Sequence, residues 1–334
     1  MIDERVYDKI TDATTDVWVP IHMNHMFVNE GYRVWHGEPF KEGYLQAPPS
    51  DHFDLHYQGP TTDTKYKPLE LIPGLNVGGF FDAGDFDIET GANINVVENL
   101  IRAWELFKPL RDETFVSEEQ RYVDLHRPDG IPDIMQYIQH GVLNLVVQAE
   151  QIGHMASTLS NSVLDNYHHL GDAASITDGL HYDPSLKPYE VSADGKRSGT
   201  PDDMWAFTTR NPRLDMRAAT MFAAAAHALK GYNDSLAARA LTQSKRLMKE
   251  AEELLSQRAE SEKNNTRARF GGVAATNLQL YAATQEKGYL DVFKKEIWNE
   301  LDRNLEFNLQ TALDAIPYMD EDYRCLLYTS PSPR

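Results

Sequence analysis

Gly78-Gly79-Phe80-Phe81-Asp82-Ala83-Gly84-Asp85-Phe86-Asp87 is a glycine-punctuated run in which three carboxylates stand among three phenylalanines. Ala83 and Gly84 separate Asp82 from Asp85 without bulk, so a tight turn brings both carboxylates to one point, where the pair can hold one water. Two readings follow. In the first, the carboxylates activate water on one face of a sugar while a carboxylic acid roughly 6.5–9.5 Å away protonates the leaving oxygen, as inverting glycoside hydrolysis requires. Phe80, Phe81 and Phe86 then stack on pyranose faces. In the second, Asp82 and Asp85 cap a helix N-terminus, which Asp does well, and the phenylalanines fill a core. Asp87 reads as a loop or solvent hydrogen-bonding residue and not as a catalytic one.

Periodicity on either side of this run is mostly helical. Val6 to Arg33 is expected to form one helix interrupted near Pro20, and Trp35 to Val77 reads as a long ordered loop. Ile94, Val97, Leu100, Ile101, Trp104 and Phe107 make an apolar stripe over Gly91 to Leu110. Pro132 suits a first-turn position, and Ile134, Ile138, Val142, Leu145, Val146 and Ala149 then define a helix running to about Gly153. Met155 to Arg213 lacks a period and reads as a second functional loop region. Beyond Pro212 come four helical patterns, at Leu214 to Lys230, Ser235 to Gln257, Gly271 to Gln285 and Tyr289 to Leu309. The last ten residues, 325–334, are non-periodic, free of acids and punctuated by Pro331 and Pro333. They read as a non-native tail, with residues 1–324 as the folded unit.

Composition narrows the partners. Acidic residues outnumber basic ones 51 to 32, for a formal charge of -19. That balance argues against nucleic acid and anionic membranes, which are held by cationic contacts, and is indifferent to a neutral polysaccharide. Cys325 is the single cysteine, so neither an intrachain disulfide nor a cysteine-based zinc site is available. No apolar run approaches membrane-spanning length, and Met1-Ile2-Asp3-Glu4-Arg5 lacks the plan of a signal peptide.

The opening run resembles the GG(W/F)xDAGD signature of glycoside hydrolase family 9, the inverting endoglucanases and related β-glycanases. Asp129-Gly130-Ile131-Pro132-Asp133-Ile134 resembles that family's (N/D)GIPD(L/I) segment, which opens a core helix. Arg210 to Ala219 resembles its proline-then-SDLAAE helix start, with Leu214 for the usual serine and Ala219 for the usual glutamate. The resemblance runs from about Trp35 to about Gln310. It implies an all-α (α/α)6 toroid, incomplete here, whose long ordered loops form a substrate cleft.

What the resemblance implies for chemistry is specific. Asp85 is expected to be the general base, with Asp82 positioning the water, in hydrolysis of a β-1,4-glucan or related β-glucan. Tyr167-His168-His169-Leu170-Gly171-Asp172 resembles an aromatic-then-GD segment that lines the cleft. Phe81, Tyr167, His168, His169, Asp172 and Trp205 are therefore the expected sugar contacts, core packing being the alternative for Trp205. The family's general acid is a glutamate beyond a His/Arg motif, and nothing after Tyr318 resembles either segment. The chain is thus expected to be truncated and defective in protonating a leaving group. Its parent is expected to be a secreted or periplasmic monomer needing no cofactor, with a signal outside this chain.

For metals the residues leave alternatives open. His168 and His169 are adjacent and lack a third ligand at motif spacing, while His22, His25 and His36 read as a polar core or a cleft wall. Calcium as a structural ion is the better expectation, from oxygens such as those of Asp202, Asp203 and Asp215. Two rival functions remain: a non-catalytic carbohydrate-binding or sensor protein, and another (α/α)6 enzyme such as a polysaccharide lyase.

Overall fold

The structure is a computed structural model that describes residues 6–8, 13–15, 43–49, 59, 61–75, 77–80, 87–117, 122–124, 127–161, 180–183, 185–200, 203–261 and 272–329. Among these, eight α-helices carry the architecture: α1 (Thr90–Phe107), α2 (Asp133–Ile152), α3 (Pro212–Ala228), α4 (Asp234–Ser261), α5 (Val273–Thr284), α6 (Lys287–Arg303), α7 (Leu305–Asp314) and α8 (Glu321–Thr329).

The central element is α3, and its sequence explains why. Ala218, Ala219, Ala223, Ala224, Ala225, Ala226 and Ala228 are all buried. Side chains this small let α1, α2, α4 and α5 all approach it, where larger residues would keep at least one neighbour away. Asn211 starts the helix by accepting a hydrogen bond from Arg213 N, with Pro212 in the first turn. Phe222 and Met221 then fill the spaces between neighbours, being wholly buried, each contributing about 1.5–3 kcal/mol through removal from water.

Ile94, Val97, Ile101 and Trp104 of α1 form one buried stripe against α2 and α3. Lys108 then ends α1 in a left-handed conformation, its N–H bonded to Trp104 O at 3.0 Å. A separate apolar cluster joins α5 to α8 through Leu278, Phe293, Ile297, Ala312 and Tyr323. The pattern expected as one helix from Tyr289 to Leu309 is broken at Asn304. Its backbone is extended (φ -155°, ψ 92°) and its side chain accepts Phe307 N, so it caps α7 instead of continuing α6. The helix α8 crosses the expected boundary at residue 325, and Leu327 packs against the same cluster.

Short strands form outside the helices. Val6–Asp8 (β1) and Ala13–Thr15 (β2) pair antiparallel, Tyr7 opposite Thr14. The expected helix therefore does not begin there: β-branched Val6, Thr14 and Thr15 favour the pleated surface. The expected loops contribute four strands of a five-stranded sheet, in the order Leu71–Pro73 (β4), Gly43–Gln46 (β3), Met204–Phe207 (β11) and Thr158–Asn161 (β8), and Ile88–Glu89 (β5), just after the acidic run, completes it. Strands of two to four residues are too short to show a period. Shorter pairs form from Phe115–Ser117 (β6) with Tyr122–Asp124 (β7), and from His181–Tyr182 (β9) with Arg197–Ser198 (β10). One face of the five-stranded sheet, bearing Ile72, Ile88, Leu159 and Ala206, packs on Val147 and Ile152 of α2.

Candidate active site

The approach to the acidic run is fixed by α2. Gly78 and Gly79 have φ of 59° and 87°, a region that costs other residues about 1–2 kcal/mol. A Cβ on Gly78 would lie 2.2 Å from His140 O, so the main chain touches the helix directly. Gly79 N donates to His140 O at 3.1 Å, and Asn144 Nδ2 donates to Leu75 O at 3.0 Å. Asn144 Oδ1 in turn accepts from Gln148 Nε2 at 2.8 Å, and Gln148 Oε1 accepts from Thr90 Oγ1 at 3.2 Å. All three of these polar residues are fully buried. Satisfied polar groups in a low-dielectric interior bind strongly and hold one geometry.

Phe80 is the last described residue before the acids. Its ring lies 5.8 Å from that of His140 and beneath Gly141, whose missing Cβ leaves the space. Phe81, Asp82 and Asp85 lie outside the described residues, as do Tyr167, His168, His169, Asp172 and Asp202. The chain returns at Asp87 and enters β5, then α1.

Sheet register relates this return to Trp205. Ile88 pairs with Leu159, and Leu159 pairs with Ala206. These three residues share the face buried against α2. Alternation places the preceding residues of β5 and β11, Asp87 and Trp205, on the opposite face, with Ser160 between their strands. Two strand spacings separate them, about 10 Å. Trp205 is half-buried, 6.2 Å from the Phe207 ring, and does not belong to the apolar clusters. Its Nε1 is buried with no hydrogen-bond partner among the described residues, and the indole stands on the face that carries Asp87.

The Asp129-Gly130-Ile131-Pro132-Asp133 segment is a helix start. Asp112 accepts from Asp129 N and Gly130 N at 2.9 and 2.7 Å, and Asp129 accepts from Ile131 N and Gln136 Nε2. Burial pushes the Asp133 carboxyl up, opposed by the N–H groups of Glu113 and Thr114 that it accepts.

Of the oxygens expected at a calcium site, those of Asp203 and Asp215 are engaged otherwise. Asp215 is wholly buried; Oδ1 accepts from Met155 N at 3.0 Å and Oδ2 from Arg210 Nε at 2.8 Å. A guanidinium already supplies the positive charge, so Asp215 does not fit a calcium ligand. Arg210 also reaches Glu250 at 2.7 Å, and Arg246 joins Glu250 to the carbonyls of Ala149 and Gly153 at the end of α2. Asp203 Oδ2 accepts from Tyr182 N at 2.7 Å, tying β9 to the residue before β11. Among the described residues no group of three or more His, Cys, Asp and Glu side chains is arranged to hold a metal ion. Nor is any helix among them long and apolar enough to cross a membrane.

Helical hairpins around α3, with a small sheet beside α2, define an all-α toroid of the (α/α)6 type. No protein-family model matches the sequence, and no curated protein matches it. Among solved structures, a Bacteroides ovatus glycoside hydrolase family 9 protein has the same fold. The TM-score is 0.50 at 12% identity, over 86% of this chain and 48% of that one. A metagenome-derived glycoside hydrolase family 9 endoglucanase matches with TM-score 0.45 and 17% identity, over 84% of this chain and 46% of its own. An endoglucanase from the termite Nasutitermes takasagoensis matches with TM-score 0.45 and 13% identity, over 91% and 62%. The chain spans about half the length of the first two structures.

Asn93 is the residue that periodicity did not single out. It sits one position before Ile94 on the buried stripe of α1, and a polar side chain at an apolar phase of a helix was the available signal.

Proposed function

We propose that the chain carries the water-activating half of an inverting β-glycan hydrolase, acting on a β-1,4-glucan or related soluble β-glucan. The observation that supports this most is the sheet register, which puts Trp205 and the return of the acidic run on one face. In this reading Asp85 takes a proton from water as the water oxygen bonds to the anomeric carbon, and Asp82 orients that water. The glycosidic carbon–oxygen bond breaks on the far side. Trp205, Phe81, Tyr167, His168, His169 and Asp172 bind the sugars. No residue of this chain is assigned the opposing acid. The parent works as a secreted or periplasmic monomer, without a catalytic cofactor.

A dinitrophenyl β-cellobioside tests the base alone, because dinitrophenolate departs as a stable anion and needs no proton. The chain is expected to release dinitrophenol and the α-anomer of cellobiose, followed by absorbance and proton NMR. Asp85→Ala is expected to lose about 10²–10⁴-fold in rate, the usual worth of a general base. A β-anomeric product, or an undiminished rate in Asp85→Ala, overturns the assignment.

A further inference from the structure

We infer that Asn93 is a positioning residue for the proposed base, acting as a latch that fixes both ends of the segment carrying Asp82 and Asp85. The inference rests on the reading of Asp85 given above, but its geometry stands apart from that reading. Asn93 is 1% exposed. Its Oδ1 accepts from Phe80 N at 2.7 Å, and its Nδ2 donates to Phe80 O at 2.8 Å and to Glu89 O at 3.3 Å. Phe80 immediately precedes Phe81–Phe86, and Glu89 is the third residue after it. One carboxamide therefore holds both ends of the segment against the N-terminus of α1, in the first full turn of a helix whose other face is packed in the core.

The chemistry of this contact selects Asn. A carboxylate accepts from Phe80 N but cannot donate to two carbonyls, and an alcohol has one donor where two are needed. Glutamine has the same groups one methylene further out. The bonds to Phe80 engage the N–H of the peptide before its Cα and the C=O of the peptide after it, so they fix the backbone on both sides of that residue. Phe80 is the residue from which the sequence continues to Phe81 and Asp82. A nucleophilic water must lie on the attack line to the anomeric carbon, and a misplacement of about 1 Å in a reacting group lowers turnover about 100-fold.

The test uses the 334-residue chain with Asn93→Leu, which keeps the shape and removes the hydrogen bonds, and Asn93→Gln, which keeps a buried amide but moves it. Two measurements are made well below each variant's unfolding temperature. Amide hydrogen exchange of the peptide spanning residues 79–89 is expected to quicken about tenfold in both variants, as loss of ordinary hydrogen bonds predicts. Exchange in residues 133–152 is expected to stay unchanged. On dinitrophenyl β-cellobioside, kcat is expected to fall about 100-fold with KM within about twofold, the mark of a displaced reacting group and not of lost sugar contacts. Unchanged exchange in residues 79–89 overturns the latch, whatever the activity. Faster exchange with undiminished kcat overturns the positioning role. If the unsubstituted chain does not release dinitrophenol, the assignment of Asp85 fails and the positioning role with it, while exchange still decides whether Asn93 holds the segment.

Discussion

Arg210 and Asp215 form an ion pair, Nε to Oδ2 at 2.8 Å, in which the Asp215 side chain is wholly inaccessible and the Arg210 side chain 23% exposed. The pair sits where the chain turns into α3. Asp215 also accepts Met155 N, and Arg210 continues to Glu250 on α4. Removing one partner of such a pair strands a charge, a larger loss than the net worth of the pair. Arg210→Met is expected to cost about 3 kcal/mol or more in urea unfolding, and Asp215→Asn/Arg210→Met to recover part of that loss. A double variant less stable than Arg210→Met would show that the carboxylate does not depend on the guanidinium.

Glu300 gives a prediction in pH. This residue of α6 is 3% exposed and holds the first turn of α5, accepting from Gly272 N at 3.3 Å and Ala274 N at 3.2 Å. Burial pushes its carboxyl above the ordinary glutamate value, outweighing the N–H bonds and Arg303 that pull it down. The folded chain therefore binds this proton more tightly than the unfolded chain does. The resulting stability is fully present below the unfolded pKa and is lost as pH rises through the folded one. The unsubstituted chain is expected to lose unfolding temperature relative to Glu300→Gln as pH is raised from the ordinary glutamate range toward neutrality. The reverse trend in paired melting curves would contradict the direction.

The helices were legible because burial imposes a period on them. Ile94, Val97, Ile101 and Trp104 announce α1, and Pro132 with Gly153 brackets α2. The sheet was not legible: β11 is four residues long, and its partners β3 and β8 lie far away in the chain. Pairing between such segments is decided by tertiary contacts that no local pattern records. For the same reason Trp205 could be singled out as a residue type but not related to Asp87. Asp215 was legible as an acid at a helix start, but its partner Arg210 was not, since a cation five residues away on a non-helical segment has no characteristic spacing. The break at Asn304 was missed because an N-cap resembles an ordinary polar surface position until the backbone is seen to extend.

Gly78 shows how closely the acidic run depends on α2. At φ 59°, with a built Cβ falling 2.2 Å from a backbone oxygen, no rotamer relieves the contact. Gly78→Ala is expected to lower stability by about 2 kcal/mol or more, combining left-handed strain with displacement of the segment. Gly130→Ala offers the contrast: it shares a positive φ of 87° but has nothing within 4 Å. It is expected to cost only the conformational part, about 1 kcal/mol. Equal losses in the two variants, measured by denaturant midpoints, would mean that the contact with His140 contributes nothing.

Trp205 separates sugar binding from packing. A half-buried indole beside Phe207 can offer a sugar an aromatic face, while its N–H, without a partner among the described residues, is buried and out of a sugar's direct reach. Two substitutions divide these contributions. Trp205→Phe keeps the face and removes the donor, whereas Trp205→Ala removes both. Titration calorimetry with cellotetraose is expected to show Kd within about twofold in the first and raised up to about tenfold in the second, since aromatic contacts contribute about 0.5–1.5 kcal/mol beyond area burial. Asp85→Ala, which leaves this face intact, is expected to bind cellotetraose within about threefold of the unsubstituted chain while losing turnover of the activated glycoside. If Trp205→Ala binds unchanged but unfolds several degrees lower, the indole belongs to packing, and the sheet face beside the acidic run is not where the glycan lies.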